Sequence, residues 1–323
     1  MRTTRSTLGT ALLCLLLLAA ACGQDEPAAS TRGATASSGA GATGTTGVAE
    51  FPVTVTDDDG FEVTIPEEPQ RIVTFAPSMT EIVFALGLGD RLVGVSGPFD
   101  DFPEQAKDIE QVGGAGEFGV DPNLENVVAL EPDLLLTIAG GDAWKEQLRE
   151  LGITVLTLNA TDFDDLLADI RTVGTVTGAV QEAEDLAAEM AAQAEEVEAL
   201  ATERVTCFFE VYWGPSLTTV GPNTFIYDLL ERAGCDPVTS EATSDYPAWS
   251  VDDLVADGPA VYLATFESAK GPAQIARRPG FEGILAVANG DVVLLDSDLV
   301  TRPGPRVVLG LQEISAALLA TGE

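Results

Sequence analysis

Two stretches of this sequence set large aromatic rings beside loop-forming residues: Tyr212-Trp213-Gly214-Pro215 and Asp245-Tyr246-Pro247-Ala248-Trp249. Phe99 and Phe118 stand in similar loop settings in the first half of the chain. Rings presented on loops can stack on and enclose a large, flat, partly apolar ligand. Arg302, in Arg302-Pro-Gly-Pro-Arg306, offers a fixed positive charge for polar groups on such a ligand. This is chemistry of recognition, not of bond-making. The sequence has no histidine, which excludes imidazole acid/base catalysis, Ser-His-Asp hydrolysis and imidazole metal sites. The carboxylate runs Asp57-Asp58-Asp59 and Asp252-Asp253 are adjacent in sequence, so their side chains diverge and make no acid/base pair. They read as solvated turns. We therefore expect no enzyme, no cofactor and no protein-held metal.

Charge narrows the partners. Sixteen basic residues against 52 acidic ones give a formal charge of −36, which excludes a nucleic-acid binder with a basic footprint. The N-terminus reads as an address. Arg2 and Arg5 precede an apolar run from Leu8 to Ala21, too short for a comfortable bilayer span and suited to a signal-peptide core. Small residues lead into Cys22, as in a bacterial lipobox, so residues 1–22 are expected to be a lipoprotein signal with Cys22 lipidated. Ordinary secretion with a spare cysteine is the other reading. Residues 23–50 are rich in Ser, Thr, Gly and Ala and read as a flexible tether, with a reach of roughly 25–30 Å. The protein is expected on the outer face of the cytoplasmic membrane, held there by lipid. Export permits a Cys207–Cys235 disulfide; two buried free thiols are the alternative.

The elements that must position these residues follow from periodicity. Residues 51–55 and 61–65 alternate around an Asp-Gly turn and predict a hairpin. Short apolar strands are expected at 71–75, 92–95, 134–138 and 153–158, alternating with helices at 79–86, 124–130 and 144–151. Ala76-Pro77-Ser78-Met79 ends a strand and opens a helix that Ser78 can cap, where an open α/β sheet places ligands. The glycine-rich run Val112-Gly113-Gly114-Ala115-Gly116 reads as a cleft loop. Helices at 162–173 and 181–203 follow, the second free of Gly and Pro with an acidic, solvated face. The pattern then repeats: strands at 204–211, 261–265 and 292–295, helices at 225–232, 251–256, 281–286 and 307–319, and a strand exit before Arg302. The expected fold is α/β, with an N-terminal lobe (51–160), a helical connector (161–203) and a C-terminal lobe (204–323). A single long helix joins the lobes, and the ligand cleft lies between them.

Several motifs point to a family. They are Pro69-Gln-Arg-Ile-Val-Thr-Phe-Ala-Pro-Ser-Met-Thr-Glu-Ile-Val-Phe-Ala-Leu-Gly, Val112-Gly-Gly, Asn123-Leu-Glu-Asn-Val-Val-Ala-Leu-Glu-Pro-Asp-Leu, Asp228-Leu-Leu-Glu-Arg-Ala-Gly and Arg302-Pro-Gly-Pro-Arg306. Over residues 68–319 the chain resembles a class III substrate-binding protein of an ABC importer, the family serving iron–siderophores, haem and vitamin B12. The Arg-Pro-Gly-Pro-Arg ending leans towards the cobalamin branch. The resemblance implies a rigid connecting helix, a monomer, and a permease with its cytoplasmic ATPase as partner. It implies a metal-chelate ligand: a corrinoid first, with a ferric siderophore or haem as alternatives. In the cobalamin-binding relatives a basic residue matching Arg302 reaches the ligand, and an aromatic matches Tyr246. The expected ligand set is Pro77, Ser78, Met79, Phe99, Phe118, Tyr212, Trp213, Tyr246, Trp249 and Arg302. The family docks through one acid on each lobe, which the resemblance maps to Glu125 and Asp252.

Overall fold

The computed structural model describes residues 50–114 and 121–321. The expected signal peptide, its Cys22, nearly all of the tether and Phe118 lie outside the described residues. The N-terminal lobe opens with the hairpin, β1 (Val53–Thr56) against β2 (Glu62–Ile65), turning at Gly60 with φ of +84°. The acidic turn is not solvated as its sequence suggests. Asp57 is buried and its carboxylate faces Arg149, while Asp59 pairs at 2.8 Å with Lys145, itself fully buried. Asp58 accepts a hydrogen bond from the Asn159 N–H. The turn thus staples the hairpin to the lobe. Burial pushes the Asp59 carboxyl up, but hydrogen bonds from Lys145 and Thr157 and nearby positive charge outweigh it and hold the group below its ordinary value.

Alternation of strand and helix follows: β3 (Ile72–Phe75), α1 (Pro77–Ala85), β4 (Leu92–Gly94), α2 (Leu124–Ala129), β5 (Leu134–Thr137), α3 (Asp142–Glu150) and β6 (Val155–Thr157). The sheet runs β4-β3-β5-β6, parallel throughout. Every residue of β5 and β6 is buried, as a parallel sheet covered on both faces requires.

Two helices make the connector, α4 (Phe163–Thr177) and α5 (Val180–Glu198), with Gly178 left-handed between them at φ of +81°. The two helices expected at 162–173 and 181–203 are both present, the first running on to Thr177 and the second ending at Glu198, and they pack against each other as a hairpin. Small residues let the two helices close on each other: a Cβ on Gly174 would stand 2.3 Å from that of Ala183. The buried face of α5 is mostly Ala183, Ala187 and Ala194, with Met190 and Val197, while its acids lie on the exposed face.

The C-terminal lobe contains β7 (Val205–Trp213), β8 (Leu217–Thr219), α6 (Phe225–Arg232), β9 (Cys235–Pro237), β10 (Ala248–Trp249), α7 (Val251–Asp257), β11 (Val261–Thr265), α8 (Pro272–Ile275), α9 (Leu285–Asn289), β12 (Val292–Leu295), α10 (Ser297–Val300) and α11 (Val307–Leu319). Its parallel strands β9-β7-β11-β12 repeat the connectivity of β4-β3-β5-β6. Antiparallel β8 and β10 extend the sheet beyond the second half of β7. Cys207 and Cys235 are both buried and form a disulfide that ties β7 to β9, with Cα atoms 5.8 Å apart.

One continuous apolar core runs from Ile72 and Ile82 in the first lobe through Ile170 and Met190 in the connector to Phe209, Leu229 and Leu311 in the second. The lobes share packed side chains, not only a covalent link.

Candidate ligand-binding site

A cavity of about 590 Å³ opens at the carboxyl ends of β3, β4 and β5, where the strand order of the first sheet reverses. That is the crevice where open α/β sheets hold ligands. Phe75, Ala76 and Pro77 follow β3 into the wall, Ser96, Gly97, Pro98 and Phe99 follow β4, and Ile138 follows β5. Gln111, Gly113 and Gly114 complete the lining. The wall is mostly apolar, and the Phe99 ring stands 67% exposed.

Buried Asp100 fixes the loop that carries Phe99. It accepts hydrogen bonds from the Thr80 hydroxyl (2.5 Å), the Ser96 hydroxyl and the Gly97 N–H (2.8 Å). The neighbouring loop comes so close that a Cβ on Gly113 would lie 2.0 Å from the Ser96 carbonyl oxygen, which only glycine permits. Trp144 braces Phe75 edge-on at 5.3 Å.

Of the expected ligand set, Pro77 and Phe99 line this cavity. Ser78 and Met79 do not: the helix begins at Pro77 after Ala76, without a side-chain cap, and both residues point into buried surroundings. Met79 belongs to the apolar core, and Ser78 packs where Gly304 of the other lobe approaches. Trp213 ends β7 and packs edge-on to Phe281 at 4.9 Å, with the Arg278 guanidinium 5.1 Å from its ring. Arg278 in turn holds Glu210, which also accepts a hydrogen bond from the Tyr262 hydroxyl; all three are buried. Burial first, and then the Glu210 charge, drives the Tyr262 phenol far above its ordinary value. Trp249 lies in a two-residue strand, not a loop, and its Nε1 donates to Asp257 at 2.9 Å. Tyr212 and Tyr246 are each 58% exposed. Burial, then Asp245, raises the Tyr246 phenol.

Arg302 follows helix α10 rather than a strand and sits in an ion cluster between the lobes. Its guanidinium lies 2.6 Å from Asp298, 3.5 Å from Asp101 and 3.7 Å from Glu81. Arg306 clasps Glu81 with two hydrogen bonds, 2.9 and 2.6 Å, and stacks over Phe102 at 4.1 Å. Sequence reasoning missed Glu81, Asp100 and Asp101, although Glu81 and Arg306 both fall in the family motifs.

Glu125 and Asp252, the two acids expected to dock, occupy equivalent places in the repeat, on the helix that leads into the third parallel strand of each lobe. Asn123 and Ser250 cap these helices through their side-chain oxygens. Glu125 and Asp252 are the second helical residues, both exposed, and Val128 and Val255 are exposed one turn later.

A family model described as periplasmic binding protein matches residues 72–299. The chain belongs to the periplasmic binding protein family. Members of this family act as solute-binding components, and the two lobes, the shared topology and the switch-point cavity fit that architecture. This periplasmic binding protein is 34% identical over 281 residues to the uncharacterized ABC transporter substrate-binding lipoprotein YvrC of Bacillus subtilis, covering 83% of this chain and 86% of that one. It is 30% identical over 249 residues to the vitamin B12-binding protein of Vibrio campbellii, covering 76% of this chain and 88% of the relative. Among solved structures, a possible iron-binding (periplasmic solute-binding) protein of Staphylococcus epidermidis superposes with a TM-score of 0.68 at 26% identity, covering 78% and 99% of the two chains.

Proposed function

We propose that this periplasmic binding protein captures a corrinoid, cobalamin or a close relative, and delivers it to the permease of an ABC importer. The observation that carries the reading is the mostly apolar cavity at the switch point of the first lobe, with Phe99 held out on an Asp100-braced loop. A corrin ring is large and partly apolar, and such a wall covers one of its faces. The vitamin B12-binding relative supports the same class. Arg302 reaches the ligand by giving up its contacts with Glu81 and Asp101, which ties lobe position to occupancy. Cys22 carries the lipid anchor, and Glu125 and Asp252 pair with basic residues of the permease. Equivalent placement on α2 and α7 supports that pairing.

A ferric siderophore or haem is the second reading. It is favoured by the exposed phenols of Tyr212 and Tyr246, since tyrosine is an iron ligand, and by the iron-binding description of the Staphylococcus epidermidis structure. Native mass spectrometry of the mature chain against cobalamin, cobinamide, haem and several ferric siderophores separates the two. Retention of cobalamin or cobinamide alone supports the corrinoid reading; retention of only an iron chelate overturns it.

A further inference from the structure

The loop from Ser96 to Pro103 serves both lobes. Its first half is cleft wall: Ser96, Gly97, Pro98 and Phe99 all line the cavity. Its second half reaches the other lobe: Asp101 faces Arg302 at 3.5 Å, and the Phe102 ring lies 4.1 Å from the Arg306 guanidinium. Between the halves, Asp100 anchors the loop to its own lobe by accepting from the Thr80 hydroxyl. Thr80 and Glu81 are neighbours on α1. Thr80 thus grips the loop directly, while Glu81 grips Arg306, which covers Phe102.

The two arginines hold the loop unequally. Arg302 Nη1 and Asp101 Oδ1 stand side by side, yet neither has a hydrogen-bond partner among the described residues. A pair at that distance without a hydrogen bond holds weakly. Arg306 is held at two points, its Nε and Nη2 donating to buried Glu81 at 2.9 and 2.6 Å. A fork bonded along its edge fixes the guanidinium plane and leaves the face free to stack. Phe102 takes that face. The ring is 45% exposed and belongs to none of the apolar clusters among the described residues, so the core of its own lobe does not fix it. Cation–π attraction to Arg306 does.

We propose that Arg306 is a positioning residue for ligand capture: from the second lobe it holds Phe102, and with it the loop that presents Phe99 to the cavity. Neither Arg306 nor Phe102 lines the cavity, so the effect on affinity runs through Phe99. The wall of the first lobe is complete only with the second lobe in place. Arg302 is free to leave for the ligand because Arg306 keeps the loop. This role rests on the reading of the cleft cavity as the ligand site.

The test pairs hydrogen exchange of the ligand-free mature chain with titration of cyanocobalamin. Phe102→Leu keeps an apolar side chain and removes the ring; Arg306→Lys keeps a charge beside Glu81 and removes the fork. Each should speed exchange across residues 96–103 about fivefold, leave β5 unchanged, and weaken cyanocobalamin binding about fivefold. The double variant should do no worse than either alone, since both changes break one contact. Phe102→Tyr, which keeps the ring, should match the wild type in exchange and affinity. A general loss of stability would instead speed exchange in β5 as well. Unchanged loop exchange in both single variants, additive losses in the double variant, or faster loop exchange with unchanged affinity would each overturn the positioning role. A wild type that binds no cyanocobalamin overturns the corrinoid reading instead; the same criteria then apply to titration with the haem or ferric siderophore that the chain retains.

Discussion

Glu81 on the first helix and Arg306 at the head of the last one form a two-point ion pair across 225 positions of chain. Glu81 is buried and Arg306 nearly so, and Arg302 adds a second positive charge on the same carboxylate. The pair bridges the two lobes. Removing one partner of a buried pair strands the other, at a cost of about 2–3 kcal/mol where one side keeps some solvent. Glu81→Gln should therefore lower stability by about that amount in urea melts and raise the radius of gyration in small-angle scattering. An unchanged radius would mean that the connector core alone sets the lobe angle.

Phe99 is the most exposed ring on the cleft wall, and its loop is fixed before any ligand arrives. Phe99→Ala should weaken ligand binding about tenfold while leaving the melting temperature within a degree or so, since a free ring supports little packing. Equal affinity in wild type and variant would place the ligand elsewhere.

Asp169 carries a pH signature. Its carboxyl, at about 8 in the folded chain against an ordinary 3.8, stays protonated where an unfolded chain has lost the proton. Between those values the folded state binds more protons, so stability falls as pH rises through the window. Asp169→Asn mimics the protonated form and removes the fall. Wild type and variant should melt alike near about pH 4 and diverge above it, the variant more stable by up to about 1.4 kcal/mol per pH unit until about pH 8. Parallel curves across that range would show that Asp169 ionises as freely as a surface acid.

Cys207 and Cys235 close a loop of 28 positions between adjacent strands. Peptide mapping without reductant should recover them linked. Cys235→Ser should cost about 2–4 kcal/mol of stability. Full alkylation of both thiols in the native protein would contradict the bridge.

Reversing the charges of Glu125 and Asp252, the proposed docking acids, tests delivery apart from capture. Glu125→Arg with Asp252→Arg should abolish uptake in cells and leave ligand affinity in solution unchanged, because neither residue lines the cavity. Uptake at the normal rate would remove the docking assignment.

Much of this molecule could be read from local sequence. The buried strands β5 and β6 are apolar runs, and the caps Asn123, Asp162, Thr224 and Ser250 sit where Asx and hydroxyl residues precede helices. Strands of two or three residues, β8 to β10, carry too little pattern to register. The α4–α5 hairpin was hidden because helical periodicity reports which face is apolar, not which helix covers it. Residues long in sequence separation were the hardest. Asp58 looks like solvated turn chemistry until Asn159 arrives beside it, and Arg302 looks free until Glu81 and Asp101 close on it. Met79 was misplaced for a simpler reason: a strand-to-helix turn at the cleft still points every third or fourth side chain inward.

The apolar core that threads both lobes also fixes a distance. The helices bearing Glu125 and Asp252 belong to lobes packed through the same connector side chains, so the span between the two acids is held as on a caliper, not a loose chain. Any machine that engages both ends and levers the cleft open must deform dense packing to do so. The work it spends is stored as elastic strain, and release returns the caliper to its original gauge.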